Sequence, residues 1–244
     1  MDSEGFLEDE MTDKVPTFNR KMIVFRFIFT LVLMGVVLFL SAGTINWWEG
    51  WVYMVISLAM LLGSRLLLII KFPEVAAERM EAGQKEDTKA WDKVLVPLVA
   101  IYLPMVIWIV AGLEKRFGLR AGLPVWVQIA AFLVAVGGSM FANWALFRNK
   151  FFSSHVRIQK DRGHAVVKDG PYAIVRHPGY AGGFVHFLAT PLAFNSVWTW
   201  IPIVILITAY VIRIIKEEAT LVAELPGYEA YTEEVKYRLV PGVW

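Results

Sequence analysis

Three stretches of this chain, Val94 to Gly112, Pro124 to Leu146 and Tyr180 to Ile212, contain no Asp, Glu, Lys or Arg. A bilayer core is ~30 Å thick, and a helix rising ~1.5 Å per residue needs ~20 apolar residues to cross it. Met22 to Leu40 also meets that need, with Arg26 near its start, as does Trp47 to Ile70 with Glu49 and Arg65 near its ends. As one helix, Tyr180 to Ile212 would measure about 50 Å, too long for a straight span. Phe194-Asn195-Ser196 offers a polar turn midway, which predicts two shorter helices. The expected fold is therefore an all-α, polytopic integral membrane protein of about six transmembrane helices with a C-terminal helical hairpin. Five spans result if that last stretch stays single.

Composition agrees: 57% of residues are apolar and 19% charged, where soluble domains hold about 25% charged residues. The absence of cysteine excludes disulfides, thiolate zinc sites, iron–sulfur clusters and a cysteine nucleophile. Four histidines leave little for a metal cage, so no metal is expected. A net charge of +2 gives no basic surface for nucleic acid. The first apolar stretch follows an acidic leader and lacks a small-residue cleavage site, so it reads as a span rather than a signal peptide. Nineteen Lys and Arg fall on the face holding both termini and the 71–93 and 148–176 segments, against three (Lys115, Arg116 and Arg120) on the other. That bias places both termini in the cytoplasm.

Chemistry gathers on that cytoplasmic face. His164-Ala165-Val166-Val167-Lys168-Asp169-Gly170-Pro171-Tyr172 is followed by Val175-Arg176-His177-Pro178-Gly179-Tyr180. Gly170-Pro171 and Pro178-Gly179 read as two turns that hold Tyr172, Arg176, His177 and Tyr180 together. Gly182 and Gly183 follow, allowing close approach of backbone or ligand. Arg213 and Glu217 lie four apart on one helix face, and a short hairpin would return them to the level of Gly179-Tyr180. The plain alternatives are a re-entrant turn with interfacial anchors, an Arg213–Glu217 ion pair, and snorkelling by Lys216 and Glu218. The tail stripe Tyr228, Tyr231, Val235 and Leu239 predicts packing on the membrane surface or the protein body.

The run Gly-Pro-Tyr-x-x-Val-Arg-His-Pro-Gly-Tyr-x-Gly, then Arg-x-x-x-Glu-Glu-x-x-Leu, resembles isoprenylcysteine carboxyl methyltransferases, whose wider superfamily includes phospholipid N-methyltransferases. The resemblance covers roughly Pro124 to Val243. Pro73-Glu74 with Glu78-Arg79, and Trp91-Asp92-Lys93, look like bacterial members. The resemblance implies S-adenosylmethionine as methyl donor, bound outside any Rossmann fold, and a lipidic or prenylated acceptor among membrane lipids. The sequence carries no Gly-x-Gly-x-x-Gly after a strand. By motif position the donor would meet His164, Ala165, Val166, Val167, Tyr172, His177, Pro178, Gly179, Tyr180 and Glu217. Arg213 would face the acceptor carboxylate through a planar two-point grip, with Arg213 and Glu217 as the catalytic pair. Around Arg157 the match is loose. Residues 1–21 then form an acidic leader, 22–146 four spans with the 71–93 loop, and 147–244 the catalytic region.

Other residues carry plainer expectations. His186 should make a helix-packing hydrogen bond, His155 should be solvated, and Arg26 and Arg65 should snorkel. Gly137-Gly138-Ser139 should pack closely against a neighbouring helix, and Asn143 should line the donor pocket. Methylation of a lipid amine is the nearest rival, opposed by the cation at Arg213. A sterol-reductase-like activity requires a longer chain. A membrane scaffold or carrier would show broken helices near the midplane, for which Pro97 and Pro104 are candidates.

Overall fold

The computed structural model describes residues 19–244, so the acidic leader lies almost wholly outside the described residues. Helix α1 (Arg20–Ala42) is apolar all round, with Phe25, Val32 and Leu40 pointing outward, the pattern of a helix solvated by lipid. Helix α2 (Trp48–Lys71) returns beside it. Pro73 starts the short α3 (Pro73–Glu81), which buries Val75 and Ala76. Next, α4 (Ala90–Pro97), a wide π turn at Leu98–Tyr102 and α5 (Leu103–Phe117) run on without interruption. Pro97 and Pro104 each lack an N–H, and the π turn between them absorbs the lost bonds without separating the halves. The broken third span that a carrier would need is absent.

Helix α6 (Val125–Arg148) precedes a polar connector, then α7 (Pro178–Ala193), α8 (Trp200–Glu224) and α9 (Tyr228–Glu234). A turn separates α7 from α8, with Asn195 at φ 54°, a left-handed conformation that Asn tolerates. Glu114 accepts from the Ser196 hydroxyl and from the N–H groups of Val197 (2.9 Å) and Trp198 (3.1 Å). The Leu123 N–H donates to Asn195 Oδ1 at 2.8 Å. The turn is thereby tied to the α5–α6 loop, next to the buried Glu49, which pairs with Arg120.

Four segments are long and apolar enough to cross a membrane: Lys21–Ala42, Trp48–Lys71, Ala90–Phe117 and Val125–Arg148. The protein is an integral membrane protein on that account. Of the six spans expected, four meet that criterion of length and composition. The 16 residues of α7 reach only about 24 Å, and the second half of α8 carries Arg213, Lys216, Glu217 and Glu218. Two further features position the site. A Cβ on Gly138 of α6 would fall 2.6 Å from the Gly182 carbonyl oxygen of α7, so these backbones touch. Leu225, Tyr228 and Tyr231 pack with Ile158 of the connector, so the tail stripe meets the protein body.

Candidate functional site

At the charged end of the bundle, the connector, the start of α7, α8 from Tyr210 onward and α9 enclose a cavity of about 270 Å³. His164, Ala165, Val166, Val167, Tyr172, His177, Pro178, Gly179, Tyr180, Arg213 and Glu217 all border it. The connector reaches this place through one turn rather than two. Gly170, at φ 59°, opens a 3-10 turn through Ala173, which orients Tyr172 inward. Pro178-Gly179 instead begins α7, because proline suits a helix's first position, where no N–H partner is required. Gly179 leaves room for the Phe152 ring, 2.8 Å from where a Cβ would stand. The two following glycines divide their tasks: Gly182 faces α6, and Gly183 opens on the cavity.

The end of α8 comes back beside that turn. The Tyr180 hydroxyl donates to Glu217 Oε2 at 2.6 Å. Arg213 does not pair with Glu217. Its Nε and Nη2 grip Asp92 at 2.6 and 3.0 Å, and Nη2 also donates to the Ser154 carbonyl at 3.1 Å. Asp92 is fully buried and takes the Val156 N–H at 2.7 Å as well. The two-point face of the guanidinium is thus spent inside the protein. Nη1 has no hydrogen bond among the described residues, and Arg213 borders the cavity. Glu218 does not snorkel: it is buried between Arg176 (2.6 Å) and Arg238.

Arg157 is likewise occupied. It forks onto Glu78 with two bonds of 2.8 Å and reaches Asp87 and Asp161, partners that push its pKa up against the effect of burial. It clamps the connector onto α3. With Arg157, Arg176 and Arg213 all paired, Glu217 is the one charged group lining the cavity without an ionic partner among the described residues. The remaining polar lining is neutral. Burial lowers the His177 pKa, and its Nε2 is buried without a hydrogen-bond partner. The Tyr228 hydroxyl is similarly buried and unpartnered. Burial also raises the pKa of Tyr172, so its hydroxyl keeps its proton while taking a bond from Asn149 Nδ2 at 3.3 Å. His164 accepts the Gln159 N–H at Nδ1, 3.3 Å away, and burial followed by Arg157 and Arg162 brings its pKa down to about 4.

Several expectations change here. Asn149, at the end of α6, borders the cavity, and Asn143 is not among its lining residues. His155 also borders the cavity and is half-buried against Gly83 rather than solvated. His186 lies at 3.0 Å from Ser139 Oγ and 3.4 Å from the Tyr53 hydroxyl, a helix-packing role. Asp92 and Tyr228 were missed as site residues. A lone carboxylate at the start of an uncharged span was a signal for Asp92, whereas Tyr228 looked like any packing tyrosine.

Comparison with known proteins bears on the same region. Residues 129–223 match the family model for isoprenylcysteine carboxyl methyltransferases. A protein-S-isoprenylcysteine O-methyltransferase of Schizosaccharomyces pombe is 38% identical over 86 residues, covering 34% of this chain. The match spans only 36% of that relative's length. Across the fold, the chain superposes with a TM-score of 0.52 and 17% identity on a solved structure described as the eukaryotic intramembrane Ras methyltransferase ICMT, covering 93% of this chain and 88% of the other.

Proposed function

We propose that this chain is an integral-membrane methyltransferase that moves a methyl group from S-adenosylmethionine to the carboxylate of an isoprenylcysteine-like lipidic acceptor. The observation that carries the reading is the unpaired Glu217 carboxylate in an otherwise neutral, half-closed cavity. Such a site favours a cation with several hydrogen-bonding groups. The unpartnered His177 Nε2 and Tyr228 hydroxyl fit that donor, because each loses free energy until a polar ligand reaches it. S-adenosylmethionine supplies an electrophilic methyl group on a sulfonium.

The chain's own residues then bind, orient and exclude water. An acceptor carboxylate is ionised at neutral pH, so no strong base is needed; proximity and alignment supply several kcal/mol. Glu217 holds positive charge at the first turn of α7, and Tyr180 fixes its rotamer. Arg213 Nη1 offers one donor to the acceptor, a weaker hold than a two-point grip. That suits a nucleophile, because full pairing would quiet it. Asp92 keeps Nη1 aimed by fixing the opposite edge of the guanidinium.

In this reading α7 and α8 cross the bilayer as a paired hairpin, giving six spans, both termini and the cavity facing the cytoplasm, and residues 147–244 as the catalytic region. One observation favours a second acceptor. The Arg213–Asp92 pair is neutral overall, which removes the repulsion that a lipid amine would otherwise meet. Supplying membranes with labelled donor and either a prenylated cysteine or phosphatidylethanolamine separates the two. Label in the prenylcysteine, as a base-labile ester, is expected; label confined to phosphatidylethanolamine overturns the carboxylate assignment.

A further inference from the structure

Arg79, half-buried, stands apart from the buried arginines. It lies in the last turn of α3, outside the cavity, and buried Nη1 has no hydrogen-bond partner. Among the described residues no carboxylate lies within ion-pairing distance of it, whereas its neighbour Glu78 is committed to Arg157. Its guanidinium sits 5.2 Å from the centre of the Phe152 ring. The Phe152 ring also meets Gly179, so one aromatic ring separates Arg79 from the first turn of α7. Its backbone is held as well, because the Ser154 hydroxyl donates to the Arg79 carbonyl at 2.9 Å.

Neighbouring cations act on it as well. Burial first, then Arg65, exposed near the end of α2, and Arg213 bring the Arg79 pKa down to about 10. Neither Arg26 nor Arg65 has an acidic partner among the described residues. A buried unmet donor on Arg79, with the unpaired Arg65 near enough to act on it, is unfavourable unless an anion joins them. Apolar surface adjoins the cluster: Leu66, Leu67, Ile70 and Phe72 are exposed on and just after α2. A headgroup at Arg79 would leave its hydrocarbon chain against that face.

We propose that Arg79, backed by Arg65, is a binding site for the oxyanion of a membrane amphiphile, a carboxylate or phosphate whose chain lies along α2. This site is separate from Glu217 and Arg213 and does not depend on the reaction proposed above. A buried guanidinium meeting an oxyanion forms charge-assisted bonds, whose loss weakens binding by about tenfold or more.

The test uses the full chain in neutral detergent, titrated with phosphatidic acid, with farnesylcysteine and with farnesylcysteine methyl ester, bound amphiphile being counted by native mass spectrometry. Wild type is expected to bind at least one acid and, if farnesylcysteine is bound, to bind its methyl ester, which lacks the oxyanion, at least tenfold more weakly. Arg79→Gln is expected to weaken the bound acid about tenfold. Arg65→Gln alters an exposed side chain, keeps the test readable if Arg79→Gln fails to fold, and is expected to weaken it several-fold. Loss confined to phosphatidic acid assigns the site to a phospholipid headgroup, and loss confined to farnesylcysteine assigns it to the incoming acceptor. Failure of wild type to bind either acid, or binding unchanged in Arg65→Gln and in folded Arg79→Gln, overturns the proposal.

Discussion

Arg213 and Asp92 form a buried pair whose members have different fates when broken. Removing Arg213 leaves a fully buried carboxylate uncompensated, a class of change that costs about 3–5 kcal/mol. Arg213→Gln should therefore lower both turnover and melting temperature. Adding Asp92→Asn should restore much of the melting temperature but not the turnover, as thermal unfolding and labelled-methyl assays on the two variants would record. A double variant that regains activity would remove Arg213 from the acceptor site. His164 gives the pH prediction. Its pKa is 6.5 in an unfolded chain and about 4 in the fold, so the unfolded state binds the extra proton between those values. Stability present above pH 6.5 is lost as the pH falls towards 4. His177 and His155, also lowered by burial, contribute in the same direction. His164→Gln should flatten part of that acid limb in melting experiments between pH 7 and 4.5, and an unchanged slope would contradict the assignment.

Helices α6 and α7 meet through glycine, and adjacent glycines on α7 have opposite surroundings. A Cβ on Gly182 would fall 2.5 Å from the Ala142 amide nitrogen, whereas one on Gly183 meets nothing within 4 Å. Gly182→Ala should cost about 1–3 kcal/mol through overpacking, visible as a lower melting temperature, while Gly183→Ala leaves the fold intact. Equal effects would refute the close contact. The element scale is also where sequence reading was most and least informative. Long apolar runs with few or no charges foretold α1, α2, α6 and most of the rod from Ala90 to Phe117, because lipid demands uninterrupted apolar helix. The same logic failed at Pro178-Gly179, where a turn signal began a helix, and at Pro97, where helix-breaking residues did not break it. Proline's effect depends on its position in the helix and on its neighbours, which spacing alone does not reveal.

At the scale of the molecule, the two ends differ in chemistry. One gathers the connector, α3, α9 and the cavity; the other ties the α7–α8 turn to Glu114 and the α5–α6 loop. The motif residues of the connector and α8 could be placed near one another from sequence because they lie at the ends of a helical pair. Asp92 could not, since its role comes from α4 packing 121 residues away from Arg213 in the chain. The absence of cysteine makes the membrane arrangement directly testable. Single cysteines at Lys160 and at Leu119, both exposed, should react with an impermeant thiol reagent from opposite sides of sealed vesicles. Labelling of both from one side would contradict the proposed topology.

The central claim is that the unpaired Glu217 makes this cavity a receptor for a cationic methyl donor. Calorimetric titration of S-adenosylmethionine into the detergent-solubilised chain and its Glu217→Gln variant tests it most directly. The account predicts saturable binding to wild type and a loss of about tenfold or more in the variant, with melting temperature unchanged. No binding to wild type, or equal affinity in both, would contradict it.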